Sequence, residues 1–169
     1  MINQALNYKN HLDLKRPYLL NYGHFTEIME VEKGVIVTVF DEKNRVLVLK
    51  RKKNWEGWEL PKGHLEKDDY EETVLIELEE ETGIDPEKIE SINNLEKTVK
   101  WEYTQDCEGY RKEYKAFLVK VSEVEAVDTR ENPCDEHEHG FFLRPSHVRE
   151  MLEYDNNVEV LEKALKQID

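Results

Sequence analysis

The stretch that decides the fold is PKGHLEKDDYEETVLIELEEETGI, residues 61–84. It holds seven glutamates and two aspartates in 24 residues, and the acid is densest at Glu79-Glu80-Glu81, just before Thr82-Gly83. The local signals are those of one helix. Asp68 or Asp69 can accept from the first free main-chain N–H groups, with Glu71 or Glu72 three residues on as the reciprocal partner. Gly83 sits where a helix ends in the left-handed conformation. The helix is therefore expected over Tyr70 to Thr82. At roughly 100° per residue, with Glu77 as zero, Glu80 falls near −60° and Glu81 near +40°. Those three acids share one face. Val74, Leu75 and Leu78 lie on one side of the stripe and Ile76 on the other. Glu72 and Glu79 point to the far side.

Such a run is ordinarily a solvated outer face. An outer face, however, carries lysines that pair with its acids at i+4, and 70–82 contains neither Lys nor Arg. Three like charges bracketed by apolar residues repel, and a divalent cation removes the repulsion. Hard cations such as Mg2+ or Mn2+ prefer carboxylate oxygens and hold phosphates at the same time.

Outward from the helix, strands and helices mix without regular alternation. GVIVTVF (34–40) reads as a buried strand, DEKN (41–44) as a turn and RVLVLKR (45–51) as a second strand. KKNWEGWELPKG (52–63) reads as a loop broken by Gly57, Pro61 and Gly63. DPEKI (85–89) is a helical turn. TVKWEYTQD (98–106) and YRKEYKAFLVKV (110–121) are strands joined around Cys107-Glu108-Gly109. The polar loop EAVDTRENPCDEHEH precedes a short strand, GFFL (140–143), and helices follow over 145–152 and 158–168. The fold class is α/β of the α+β kind, with a mixed sheet. Residues 1–30 fall outside this pattern and read as an N-terminal arm or strand extension to one domain over 31–169.

At 169 residues the chain suits a single core. Its net charge of −14 argues against an extended nucleic-acid track, so a phosphate-bearing partner needs a local basic pocket or a bridging metal. Cys107 and Cys134 form no CxxC pair and suggest a reducing compartment. The N-terminus has no apolar signal core, and no run approaches membrane-spanning length. The chain reads as soluble, cytoplasmic and without a membrane partner; the oligomeric state is not legible.

Gly63, an acid at Asp68 or Asp69, and the run Glu77-Leu78-Glu79-Glu80-Glu81-Thr82-Gly83-Ile84 together resemble the Nudix box. The resemblance spans about residues 30–168. It implies a mixed sheet sandwiched between helices, and hydrolysis of a nucleoside diphosphate linked to another group with Mg2+ or Mn2+. It makes Glu77, Glu80 and Glu81 metal ligands and catalytic residues, with the carbonyl of Gly63 a further ligand. Two positions depart from the box. Ile76 stands where an arginine is usual, and the segment between Gly63 and Glu77 is one residue short, near Glu66-Lys67.

WELPKGHLE (58–66) looks most like asymmetric diadenosine tetraphosphate hydrolases. His137-Glu138-His139 fits the same subfamily and implies Glu138 as a distal metal ligand or general base. His64 either reaches a phosphate oxygen or caps its loop. Arg51, Lys53 and Lys62 beside the box are candidates for the basic pocket. Arg111, Lys112 and Lys115 form a second cluster, and Trp101, Tyr103, Tyr110 or Tyr114 offers a ring to a base. Trp55 and Trp58 read as loop anchors. The expected substrate is a small nucleotide, first a dinucleoside polyphosphate. RNA 5′ ends, nucleotide sugars, or binding without turnover are the alternatives.

Overall fold

The structure is a computed structural model that describes residues 30–105 and 108–168, except the side chains of Gln105 and Glu108. The arm expected before residue 30 and the turn at Cys107 lie outside the described residues. Strand β1 (Glu30–Phe40) leads into β2 (Val46–Arg51), then two short strands, β3 (Gly57–Glu59) and β4 (Lys62–His64). Helix α1 (Tyr70–Thr82) and a single 3-10 turn at Pro86–Lys88 precede the long pair β5 (Ile89–Gln105) and β6 (Glu108–Val121). Strand β7 (His137–Leu143) and helices α2 (Pro145–Met151) and α3 (Asp155–Ile168) complete the order.

The sheet runs β3-β2-β1-β6-β5, with β4 paired to β1 and β7 to β2. β1 and β6 are parallel from Glu30↔Tyr110 to Phe40↔Lys120, and the other pairings are antiparallel. The unbroken β-branched run of β1 follows from burial on both faces. Val35, Val37 and Val39 face Val74 and Leu78 of α1, while Ile36 and Phe40 face Val148 of α2 and Val160, Leu161 and Ala164 of α3. The result is the expected mixed sheet between helical layers.

Helix α1 has the expected bounds. Asp69 is its cap, with Oδ1 accepting from the Glu72 N–H at 3.0 Å, and Gly83 ends it at φ 65°. The shortened loop before it turns through left-handed Lys67 (φ 50°) and Asp68 (φ 57°). Trp55 meets Tyr154 edge-on at 4.9 Å and Trp58 packs against the α2–α3 side of the core, so both anchor as expected.

Three readings are corrected. The loop 52–63 contains β3 and reaches into β4, which pair with Leu49–Arg51 and Gly34–Ile36. Three-residue strands carry too little alternation to stand out between Gly57, Pro61 and Gly63. β5 begins nine residues before the expected strand, because register shifts at Ile89/Ser91 and Asn94/Thr98 break its alternation. Finally, His137-Glu138-His139 belongs to β7.

Candidate active site

The face of α1 that carries the acids crosses β4, so residues 61–63 and 77–81 meet. The segment is held in this position by its main chain: Val37 N–H donates to Pro61 C=O at 2.9 Å, and Leu60 N–H donates to the side-chain Oδ1 of Asn157 at 3.0 Å. Glu81 is only 3% exposed, and Lys62 N–H donates to its Oε2 at 3.2 Å. Glu77 is half-buried against Gly63, where a Cβ would overlap the Glu77 carboxylate. A second close approach sets Gly34 beneath the Gly63 carbonyl and the Tyr114 ring. Glu80 is exposed at the rim. The acidic stripe is therefore graded, from buried Glu81 through Glu77 to solvated Glu80.

This burial has an electrostatic cost. Burial, then the Glu80, Glu66 and Glu136 carboxylates, pushes the Glu77 carboxyl up to about 8. Glu81 is raised well above the carboxylate range by burial, Glu77 and Glu59, with Lys62 opposing. No cation in the helix relieves either, and half-buried Ile76 occupies the position where the box has arginine.

Beside the stripe lies a buried charge network centred on Glu59 of β3. Glu59 Oε1 accepts from Arg51 Nη1 at 2.9 Å and lies 2.9 Å from His137 Nε2, and Oε2 pairs with Lys62 Nζ. Burial alone would raise this carboxyl, but Lys62, His137 and Arg51 hold it well below the usual range. Arg51 also reaches Glu136 Oε2 at 3.2 Å and donates from Nε to Lys53 C=O at 2.9 Å. Atoms of Glu81, Glu136 and His137 that can serve as metal ligands lie within 4.8 Å of one another.

The structure thus brings together Glu77, Glu81, Gly63 and Lys62, with Arg51 adjoining. It places Glu138 differently from the expectation. β7 shifts register where Arg51 faces His137 and Lys50 faces His139. Glu138 is the extra residue of that bulge and is exposed, so the third carboxylate beside Glu81 is Glu136. Lys53 is exposed and donates to Cys134 C=O at 3.0 Å. His64 and Lys112 both lie 3.3 Å from Glu32 Oε2, and Tyr103 Oη donates to Glu32 Oε1 at 2.9 Å. Tyr114 is 3% exposed with Trp101 edge-on at 4.9 Å, so this ring has no free face for a base.

Sequence reasoning did not single out Glu59 or Glu136, and it named His137 only as part of the His137-Glu138-His139 motif. A signal for Glu59 was present: a lone acid between Trp58 and Leu60, three residues before Lys62. For Glu136 there was none, because the bulge inverts the choice between 136 and 138.

The model of the NUDIX domain family matches residues 31–164. An RNA pyrophosphohydrolase of Zymomonas mobilis is 32% identical over 83 residues, 48% of this chain and 54% of that protein, so the chain spans about half the length of the curated relative it matches. The dihydroneopterin triphosphate pyrophosphohydrolase of E. coli superposes with TM-score 0.67 at 17% identity, over 80% of this chain and 95% of that one. A C. elegans Ap4A hydrolase binary complex gives TM-score 0.62 at 18% identity, over 83% and 98%. At these identities the two structures speak for the fold alone. With the family match covering most of its length and Glu77 of the box set against Gly63, the chain belongs to the Nudix hydrolase family.

Proposed function

We propose that the protein hydrolyses a phosphoanhydride bond of a nucleoside diphosphate linked to another group, with a divalent cation held by Glu77, Glu80 and Glu81. The observation that carries this reading is the pairing of buried Glu81 with half-buried Glu77, both lifted above the carboxylate range with no helix cation to relieve them. The donor set is oxygen-rich, which suits Mg2+ or Mn2+. When bound, such an ion neutralises phosphate charge and makes a bound water more acidic. Gly63 keeps the Glu77 carboxylate close to the backbone of β4. Lys62 fixes Glu81 through its main-chain N–H. Glu136 adds a fourth carboxylate in the role first expected for Glu138.

The substrate class favoured is a dinucleoside polyphosphate. The segment Pro61-Lys62-Gly63-His64 supports it. The match to an RNA pyrophosphohydrolase favours a second reading, an RNA 5′ end, which the charge of −14 opposes. A panel of diadenosine tetraphosphate, 5′-triphosphorylated RNA and a nucleotide sugar, each with Mg2+ or Mn2+, separates them. Cleavage of diadenosine tetraphosphate foremost supports the first reading. Preference for the RNA replaces it with the second, and nucleotide binding without turnover of any compound leaves a binding module.

A further inference from the structure

We propose that His137 Nδ1 is a nitrogen ligand of the metal site, completing with Glu81 and Glu136 a mixed imidazole–carboxylate set. This rests on the metal reading above and changes its chemistry, since the box supplies oxygen alone.

The argument starts from an orphaned atom. The His137 ring is fully buried, and its Nδ1 has no hydrogen-bond partner among the described residues. A buried, unpaired ring nitrogen is costly and calls for an explanation. Its tautomer follows from its neighbour. Glu59 lies between Arg51 Nη1 and Lys62 Nζ and is a carboxylate with no proton to give. At 2.9 Å from Glu59 Oε1, His137 Nε2 must therefore be the N–H that donates. In the neutral ring, Nδ1 is left with a bare lone pair. That lone pair lies 3.8 Å from Glu81 Oε1, too far for a hydrogen bond, and it belongs to the same tight group as the carboxylates of Glu81 and Glu136.

A carboxylate that holds one ring nitrogen so that the other can ligate is the usual support of a metal-bound histidine. Glu59, Arg51 and Lys62 thus form the frame that orients the imidazole, with Glu59 and Arg51 buried and Lys62 half-buried. An imidazole donor favours later first-row divalent ions and weakens the preference for Mg2+. The site accordingly ranks Co2+ or Zn2+ above Mn2+, and Mn2+ above Mg2+.

Pulsed EPR of the full-length protein loaded with Mn2+ tests this without reference to turnover. The expected result is a nitrogen coupling from a directly bound imidazole, altered by 15N-histidine labelling, lost in His137→Gln and kept in His139→Gln. Calorimetry should show Mn2+ affinity falling by at least about tenfold in His137→Gln, with Mg2+ affinity changed less. Should His137→Gln fail to fold, a chain with His137 as its sole histidine carries the same test. Mn2+ binding that needs Glu81 yet shows no nitrogen coupling would overturn this inference and leave the carboxylate site standing. An absence of Mn2+ binding in the wild type would overturn both.

Discussion

The Cα of Gly63 lies so close to the carboxylate of Glu77 that a side chain at 63 would occupy the space of that carboxylate. The glycine and the glutamate are 14 residues apart, and together they set where the acid stripe meets β4. Gly63→Ala should therefore move Glu77. We expect a destabilisation of about 1–3 kcal/mol from overpacking and loss of most of the Mn2+-induced rise in Tm. Thermal melts with and without Mn2+ check both; an unchanged Mn2+ response would disconnect Glu77 from the metal.

The raised carboxyls give the metal-free protein a pH dependence of definite sign. Glu77 is lifted from its ordinary 4.5 to about 8, and Glu81 moves the same way. Between those values the folded state holds protons that the unfolded chain has released. The stabilisation is full below about 4.5 and is lost as pH rises through about 8. A cation takes the place of the protons. Mn2+ should therefore raise Tm more at pH 8 than at pH 6, and equal shifts at both would contradict the assignment.

Arg51 and Lys53 were candidates for the same basic pocket, yet their settings differ. Arg51 is buried against Glu59, and Lys53 is exposed. Arg51→Met leaves a buried carboxylate short of a partner and should cost about 3–5 kcal/mol in urea unfolding. Lys53→Ala should stay within about 0.5 kcal/mol. The depressed Glu59 carboxyl adds stability above its ordinary 4.5, lost as pH falls through its folded value. Arg51→Met should therefore flatten the acid limb of the stability curve.

Glu136 and Glu138 flank His137, and the bulge in β7 leaves only Glu136 beside Glu81. Glu136→Gln should weaken Mn2+ binding several-fold by calorimetry, while Glu138→Gln leaves it unchanged. The reverse order would restore the assignment implied by the family resemblance.

How much of this was legible in the sequence depends on local signals. Helix α1 was readable to its bounds because the cap, the glycine stop and the apolar edges all lie within 16 residues of chain. The stripe of Glu77, Glu80 and Glu81 was readable from helix geometry, although its grading from buried to exposed depends on which part of the helix β4 covers. β3 and β4 were hidden because three residues carry too little alternation, and β4 in addition pairs with the more distant β1. The Glu59 network joins residues 51, 59, 62, 136 and 137, which only the sheet brings together. Tyr114 read as a stacking ring because an alternating strand does not say how deeply each face is covered.

The most direct test is hydrolysis of diadenosine tetraphosphate with Mn2+, followed by 31P NMR for the wild type and Glu81→Gln. The amide keeps the shape of the side chain and can accept from Lys62 N–H, so the variant should fold and lose the buried ionisable group. The account predicts Mn2+-dependent cleavage by the wild type and a rate at least about 100-fold lower in Glu81→Gln, in the range expected for loss of a major charge-stabilising group. Equal rates in the two proteins, or metal-independent cleavage, would contradict it.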